Sequence, residues 1–172
     1  MLPDRTWIFA YGSLIARPGF DYTERQKARL HGYSRRFWQG SHDHRGTPEA
    51  PGRVVTLVPT NGDHCEGVAY RVQQQHVKHT LEVLDYREKN GYTRKSLPLE
   101  FESGHIETAI VYVADQGNFA YLGDAPMGKI AGQIRASHGP SGANVDYVLE
   151  LEKALRTLDI HDPHVSELTA LL

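Results

Sequence analysis

Glu88 is the side chain in this sequence best placed to trade protons. It lies in the run Asp85-Tyr86-Arg87-Glu88-Lys89-Asn90-Gly91-Tyr92. Upstream, Val77, Leu81 and Leu84 recur at spacings of four and three, the pattern of a helix with one buried face. A further step of four reaches Glu88, which continues the apolar stripe where a leucine would cost less. Gly91 supplies the helix stop. A carboxylate on an apolar face near the negative end of a helix dipole is expected to hold its proton more tightly than it does in water. That property suits a general base that later returns the proton as an acid. The competing reading is a glutamate turned to solvent in a frayed last turn, or paired with Arg87, Lys89 or Arg94.

A second chemistry-bearing segment opens the chain. The apolar run Thr6-Trp7-Ile8-Phe9-Ala10-Tyr11 ends in Gly12-Ser13-Leu14. A Gly-Ser break after a buried strand lets successive backbone N–H groups converge on one point, forming a nest for a carboxylate or phosphate. An ordinary strand-ending turn is the alternative. The segment is neither a P-loop nor a dinucleotide fingerprint, since the lysine of the first and the further glycines of the second are absent.

Other reactive side chains lack partners at useful spacing. His42-Asp43-His44 offers metal-ligand types, but a zinc centre needs three or four ligands in tetrahedral array, and no His-Glu-x-x-His pattern occurs. No metal is expected, and Asp43 and Arg45 are read as pinning their loop through ion pairs and backbone contacts. Cys65 follows His64, and neighbours on a strand point to opposite faces, which is wrong for a Cys–His pair. Ser13 is not in a Gly-x-Ser-x-Gly elbow.

The elements that must position these groups are legible as strands first and helices last. Strands are expected at Thr6–Tyr11, Ala28–Trp38, Arg53–Pro59, Glu66–Val72, Tyr92–Phe101 and Glu107–Ala114. A helix at Gln74–Arg87 interrupts them. Three more helices are expected: from an N1 Pro126 to about His138 with Gly139 as stop, over Asn144–Leu158, and from an Asp162 cap with Pro163 at N1, burying Val165, Leu168 and Leu172. This order argues for an α+β fold, a small sheet or barrel flanked by helices with a helical C-terminal third. Gln39–Gly52 is the most polar irregular stretch, and a long loop inside a compact domain is more often functional than idle.

At 172 residues, 40% hydrophobic and 23% charged, the chain suits a single domain spanning residues 1–172. A formal charge of −2 supplies no broad attraction to nucleic acid or anionic membrane. One cysteine excludes an internal disulfide and suits a reducing compartment. No apolar stretch approaches the roughly 20 residues of a membrane span. A soluble cytoplasmic protein is expected.

Taken together, Tyr11-Gly12-Ser13-Leu14, Glu88 and the block Arg36-Phe37-Trp38-Gln39-Gly40-Ser41-x-Asp43-His44-Arg45-Gly46-Thr47-Pro48 resemble the ChaC-type γ-glutamylcyclotransferases. The likeness continues through Pro51–Leu57, Tyr121-Leu122-Gly123, Gly139-Pro140-Ser141-Gly142 and Asp162-Pro163-His164-Val165, so it covers nearly the whole chain. The resemblance implies a small mixed-sheet β-barrel with helices around it. It also implies cleavage of glutathione to 5-oxoproline and Cys-Gly without a cofactor. It places the γ-glutamyl group on Tyr11, Gly12, Ser13 and Leu14, and makes Glu88 the catalytic acid/base. Arg45 and Tyr121 are candidates for the substrate site on its leaving-group side. Three rivals stay open: a cyclotransferase for other γ-glutamyl peptides or amines, a non-catalytic module binding γ-glutamyl or amino-acid carboxylates, and a metal-dependent hydrolase using the histidine loop.

Overall fold

The computed structural model describes residues 6–172. Five strands close into a barrel in the order β1-β3-β2-β4-β5. They are β1 Thr6–Ala10, β2 Glu24–Ser41, β3 Gly52–Val72, β4 Tyr92–Phe101 and β5 Ile106–Ala114. The sheet is mixed: β1 runs antiparallel to β3, with Ile8 opposite Tyr70, and parallel to β5, with Trp7 opposite Ala109. Every residue of β1 is buried, as a strand paired on both sides and covered on both faces requires. Four helices complete the fold: α1 Gln74–Arg87, α2 Met127–Ala136, α3 Asn144–Thr157 and α4 Pro163–Ala170. A short hairpin of β6 His138–Gly139 and β7 Gly142–Ala143 joins α2 to α3. The α+β class and the mixed barrel are therefore as the sequence implied.

The chain forms two compact units. The first holds residues up to Ser34 together with Pro59–Val113, and the second holds Arg35–Val58 and Ala114–Leu172. β1, α1, β4 and all of β5 but Ala114 belong to the first, while α2, α3 and α4 belong to the second.

Three elements differ from the sequence expectation. Arg53–Pro59 and Glu66–Val72 are parts of one strand, β3, of 21 residues. Asn61-Gly62 reads locally as a turn. Gly62 does take a positive φ of 79°, but a single left-handed residue inside a paired strand bends it without ending it. β2 carries the same device at Gly32, with φ of 84°, and runs from Glu24 to Ser41, well beyond Ala28–Trp38. The helix expected to reach His138 ends at Ala136, because Ser137 is extended and His138–Gly139 pair with β7.

In the first unit α1 buries Val77, Thr80 and Leu84, with Leu81 half-buried, so its inward stripe is turned slightly toward Thr80. In the second, Asp162 caps α4, accepting from the N–H groups of His164 (3.0 Å) and Val165 (3.2 Å). The same carboxylate takes the guanidinium of the buried Arg35 at 2.5 Å. A buried cation without such a partner would be strongly destabilising.

His164 at this corner makes the second unit sensitive to acid. Its Nε2 accepts the Phe37 N–H at 3.1 Å, and its ring stacks on the Phe37 ring with centroids 5.8 Å apart. Burial, reinforced by the nearby Arg36, lowers its pKa from 6.5 to about 4, against the opposing pull of Asp162. The unfolded chain therefore takes up a proton at pH 6.5 that the folded chain refuses until about pH 4. Stability from this residue is complete above pH 6.5 and is lost as pH falls toward 4, about 3 kcal/mol in all. Urea unfolding at pH 7 and pH 4.5 should show this loss, and His164→Gln should flatten the change across that interval. An unchanged pH slope in the variant would remove His164 as its source.

Candidate active site

The first unit brings the two chemistry-bearing segments together. β1 ends at Ala10, and its end is located by a close approach. A Cβ on Gly67 of β3 would sit 2.3 Å from the Ala10 carbonyl and within about 3 Å of the Phe9 ring, so only glycine fits. Beyond Ala10 the chain passes through Tyr11 and Gly12 into a 3-10 turn, Ser13–Ile15. Ile15 N–H returns to the Gly12 carbonyl at 3.0 Å and Arg17 N–H to that of Ser13 at 3.0 Å. The amides of Ser13 and Leu14 open this turn, ahead of its first internal bond, where N–H groups have no intrahelical acceptor. Ser13 is exposed, Gly12 half-buried and Leu14 buried.

Three side chains hold this loop in place. The Tyr11 hydroxyl donates to the Tyr112 carbonyl of β5 at 2.5 Å, and that of Tyr70 to the Ile15 carbonyl at 2.6 Å. Tyr11 is buried, and its hydroxyl is spent on the barrel. The third is Arg87, the last residue of α1, whose Nη2 reaches Ser13 Oγ at 3.3 Å and whose Nη1 reaches the Arg17 carbonyl at 3.4 Å.

Glu88 follows directly. It is not inside the helix, as the stripe suggested, but is the residue that caps it, half-buried, with φ −98° and ψ 16°. Its N–H donates to the Leu84 carbonyl at 2.8 Å, and its own carbonyl accepts from Tyr92 N–H, the first residue of β4, at 3.3 Å. The backbone of Glu88 is thus tied to the helix behind and the strand ahead. Gly91 makes so tight a connection feasible with a positive φ of 104°. A second clamp fixes the turn before it: Asp85 accepts from the Tyr112 hydroxyl at 2.6 Å and pairs with Arg94 at 3.2 Å. Burial, and then the bond to Asp85, raise the Tyr112 pKa, so the phenol stays a donor. Tyr112 thereby serves both segments, the loop through its carbonyl and α1 through its hydroxyl.

Arg87, Asp85 and Tyr112 hold these segments by contacts that spacing did not single out. Arg87 was legible only as one more charge near a helix end, and nothing in an i, i+4 pattern pairs residue 85 with residue 112.

Arg45 and Tyr121 lie in the second unit. Arg45 is buried; its N–H bonds Ser41 Oγ at 2.9 Å, its Nη1 donates to the Ala143 carbonyl at 3.2 Å, and its Nη2 lies 3.6 Å from Glu150. It pins the 42–51 loop through an ion pair and backbone contacts, as expected. The Tyr121 segment is laced to β2, with Gly40 N–H bonding the Ala120 carbonyl at 2.8 Å and Leu122 N–H bonding that of Trp38 at 2.8 Å. Burial, and the charge of Asp124, raise the Tyr121 pKa. Cys65 is buried beside the exposed His64, on opposite faces of β3 as the strand period requires. Among the described residues no group of three or more His, Cys, Asp or Glu side chains is arranged to hold a metal ion, and no helix is long and apolar enough to cross a membrane.

Comparison with known proteins identifies the family. The chain is 43% identical over 170 residues to "Gamma-glutamylcyclotransferase 2-3" of Arabidopsis thaliana, covering 94% of this chain and 85% of that protein. It is 44% identical over 153 residues to "Glutathione-specific gamma-glutamylcyclotransferase 1" of Homo sapiens, covering 87% and 69%. The crystal structure of the yeast γ-glutamyl cyclotransferase specific to glutathione superposes with a TM-score of 0.92 at 32% identity, over 98% of this chain and 96% of that one. The family model described as "ChaC-like protein" matches residues 6–172, and the chain belongs to the ChaC-like family of γ-glutamylcyclotransferases.

Proposed function

We propose that this protein is a glutathione-specific γ-glutamylcyclotransferase in which Glu88 is the acid/base and the Gly12-Ser13-Leu14 backbone receives the substrate α-carboxylate. The observation that carries the reading is the joining of these two segments in one unit, through Arg87 and Tyr112. The glutathione-specific names of its relatives support the choice of substrate. The same names weigh against the binding-module and hydrolase rivals.

The chemistry needs no enzyme nucleophile. A γ-glutamyl amide carries its own in the α-amine, which can close a five-membered ring on the γ-carbonyl. The enzyme must hold the glutamyl chain bent, and well-oriented intramolecular reactions gain ~7–11 kcal/mol from such placement. Fixing the α-carboxylate at the loop amides sets one end of that bend. The α-amine is an ammonium at neutral pH and must give up a proton, for which Glu88 is the acceptor. The amine nitrogen then bonds to the γ-carbon, producing a tetrahedral oxyanion. As that oxyanion collapses, the bond from the γ-carbon to the cysteine nitrogen breaks, and Glu88 returns its proton to the departing amine. The ring nitrogen sheds its second proton to solvent, leaving 5-oxoproline and Cys-Gly.

Residues 1–172 act in this scheme as one catalytic domain. Arg45 enters it as a support of the 42–51 loop and the Tyr121 segment as a support of β2, because the contacts they make are structural. A single cysteine, Cys65, suits work in the reducing cytoplasm.

Incubating the pure protein with glutathione should yield equimolar 5-oxoproline and Cys-Gly by mass spectrometry, undiminished in EDTA. Free glutamate in place of 5-oxoproline would mean hydrolysis and would sink the assignment. A γ-glutamyl-amine turned over faster than glutathione would shift it to the broader cyclotransferase class.

A further inference from the structure

Arg87 has an unused charge. Its guanidinium lies over the loop that follows β1, 3.3 Å from Ser13 Oγ and 3.4 Å from the Arg17 carbonyl. Both contacts are at the long limit for hydrogen bonds, and both acceptors are neutral. A Cβ on Gly19 would also stand 3.4 Å from Nη1, and Gly19 has a positive φ of 70°, so the chain leaves room for this group. Several other arginines find a carboxylate: Arg35 has Asp162, Arg45 has Glu150, Arg94 has Asp85 and Arg156 has Glu152. Among the described residues none pairs with Arg87. A guanidinium held beside an anion-binding backbone turn, without an anion of its own, is suited to bind a carboxylate from outside.

The neighbour in sequence carries the opposite charge. Arg87 and Glu88 are consecutive, and the γ-glutamyl head of the substrate carries an α-carboxylate and an α-ammonium on the same carbon. A cation next to the loop amides and an acid one residue away match that zwitterion in sign and in order. We propose that Arg87 binds the α-carboxylate of the γ-glutamyl group together with the loop amides, and so selects substrates that carry it. This assignment rests on the cyclotransferase reading above and adds a specificity residue to it. Ion pairing across the two groups would also hold the ammonium at Glu88, the proton acceptor, instead of leaving it free to rotate away.

The test separates a carboxylate ligand from a mere clasp on the loop. Two constants are measured for the unsubstituted protein, Arg87→Met and Arg87→Lys. One is KM for glutathione; the other is the inhibition constant of 4-aminobutanoyl-Cys-Gly, which is glutathione without its α-carboxylate. A charge-assisted bond to a carboxylate predicts a KM rise of roughly 10- to 100-fold in Arg87→Met. The inhibition constant of the decarboxylated peptide should move less than about threefold, since it has nothing for Arg87 to hold. Arg87→Lys should fall between, keeping the charge while losing the planar fork, and should give the same ordering if Arg87→Met is unstable. If both constants rise by one factor, Arg87 only shapes the loop and the proposal fails. If neither moves, it fails as well. An unsubstituted protein that makes no 5-oxoproline would instead overturn the cyclotransferase reading itself, and this assignment with it.

Discussion

Glu88→Gln leaves a folded protein that binds glutathione and does not turn it over. Two backbone bonds help to locate residue 88, from its N–H to the Leu84 carbonyl and from the Tyr92 N–H to its own carbonyl, and a glutamine keeps both. It also keeps the size and polarity of the side chain, so the end of α1 and the start of β4 stay where they are. What it loses is the ability to take a proton from the substrate ammonium and give one to the leaving amine. General acid–base catalysis is typically worth ~10²–10⁴-fold, and here one group serves both half-steps, so the loss should lie at the upper end of that range. Glu82→Gln, on the exposed side of α1, is the matched control and should be nearly silent. Steady-state assay of 5-oxoproline, with calorimetric binding of glutathione to the variant, reads both halves of the expectation. Wild-type turnover in Glu88→Gln would make the carboxylate structural and send the search for the base elsewhere.

A glutathione whose α-amine is acetylated should not be cleaved at all. The α-carboxylate, the γ-amide and the Cys-Gly portion are unchanged in this compound, so the loop amides and Arg87 still have their ligand. The nitrogen that must attack has lost its basic lone pair to the acetyl carbonyl, and no side chain in the scheme takes its place as nucleophile. An enzyme nucleophile or an activated water would be indifferent to that acetyl group beyond its bulk. Release of Cys-Gly from the acetylated peptide at a rate near that for glutathione would therefore exclude attack by the substrate's own amine, whatever the fate of the Glu88 variant. The two experiments probe different atoms, the acceptor of the proton and its donor.

Local pattern was enough to determine much of this protein. The continuous apolar run Thr6–Ala10 could only be a doubly covered strand. The spacing of Val77 and Leu84 placed α1 with its end at Arg87. Asp162-Pro163 was legible as a cap because the cap is made by the side chain and the nearby amides of His164 and Val165 alone. The same local logic drew attention to Glu88 and to the Gly12-Ser13 break. It failed at Asn61-Gly62, where turn chemistry suggested two strands. Pairing along both edges holds β3 as one, and a single positive φ is absorbed as a bend.

What only the tertiary structure decided is how the two segments meet. Residues 13 and 87, 11 and 112, and 85 and 112 are joined by side chains whose partners are set by the folding back of strands and helix, and no periodicity along the chain encodes such pairs. Burial is equally non-local. It commits Arg45 to Ala143 and Glu150, and it keeps His164 neutral as an acceptor for Phe37. Sequence spacing reports the face a residue occupies, since the helical and strand periods are fixed by the backbone. Which group waits on the other side of that face depends on the closure of the barrel, and that is how Arg87 comes to lie over Ser13 with no carboxylate partner among the described residues.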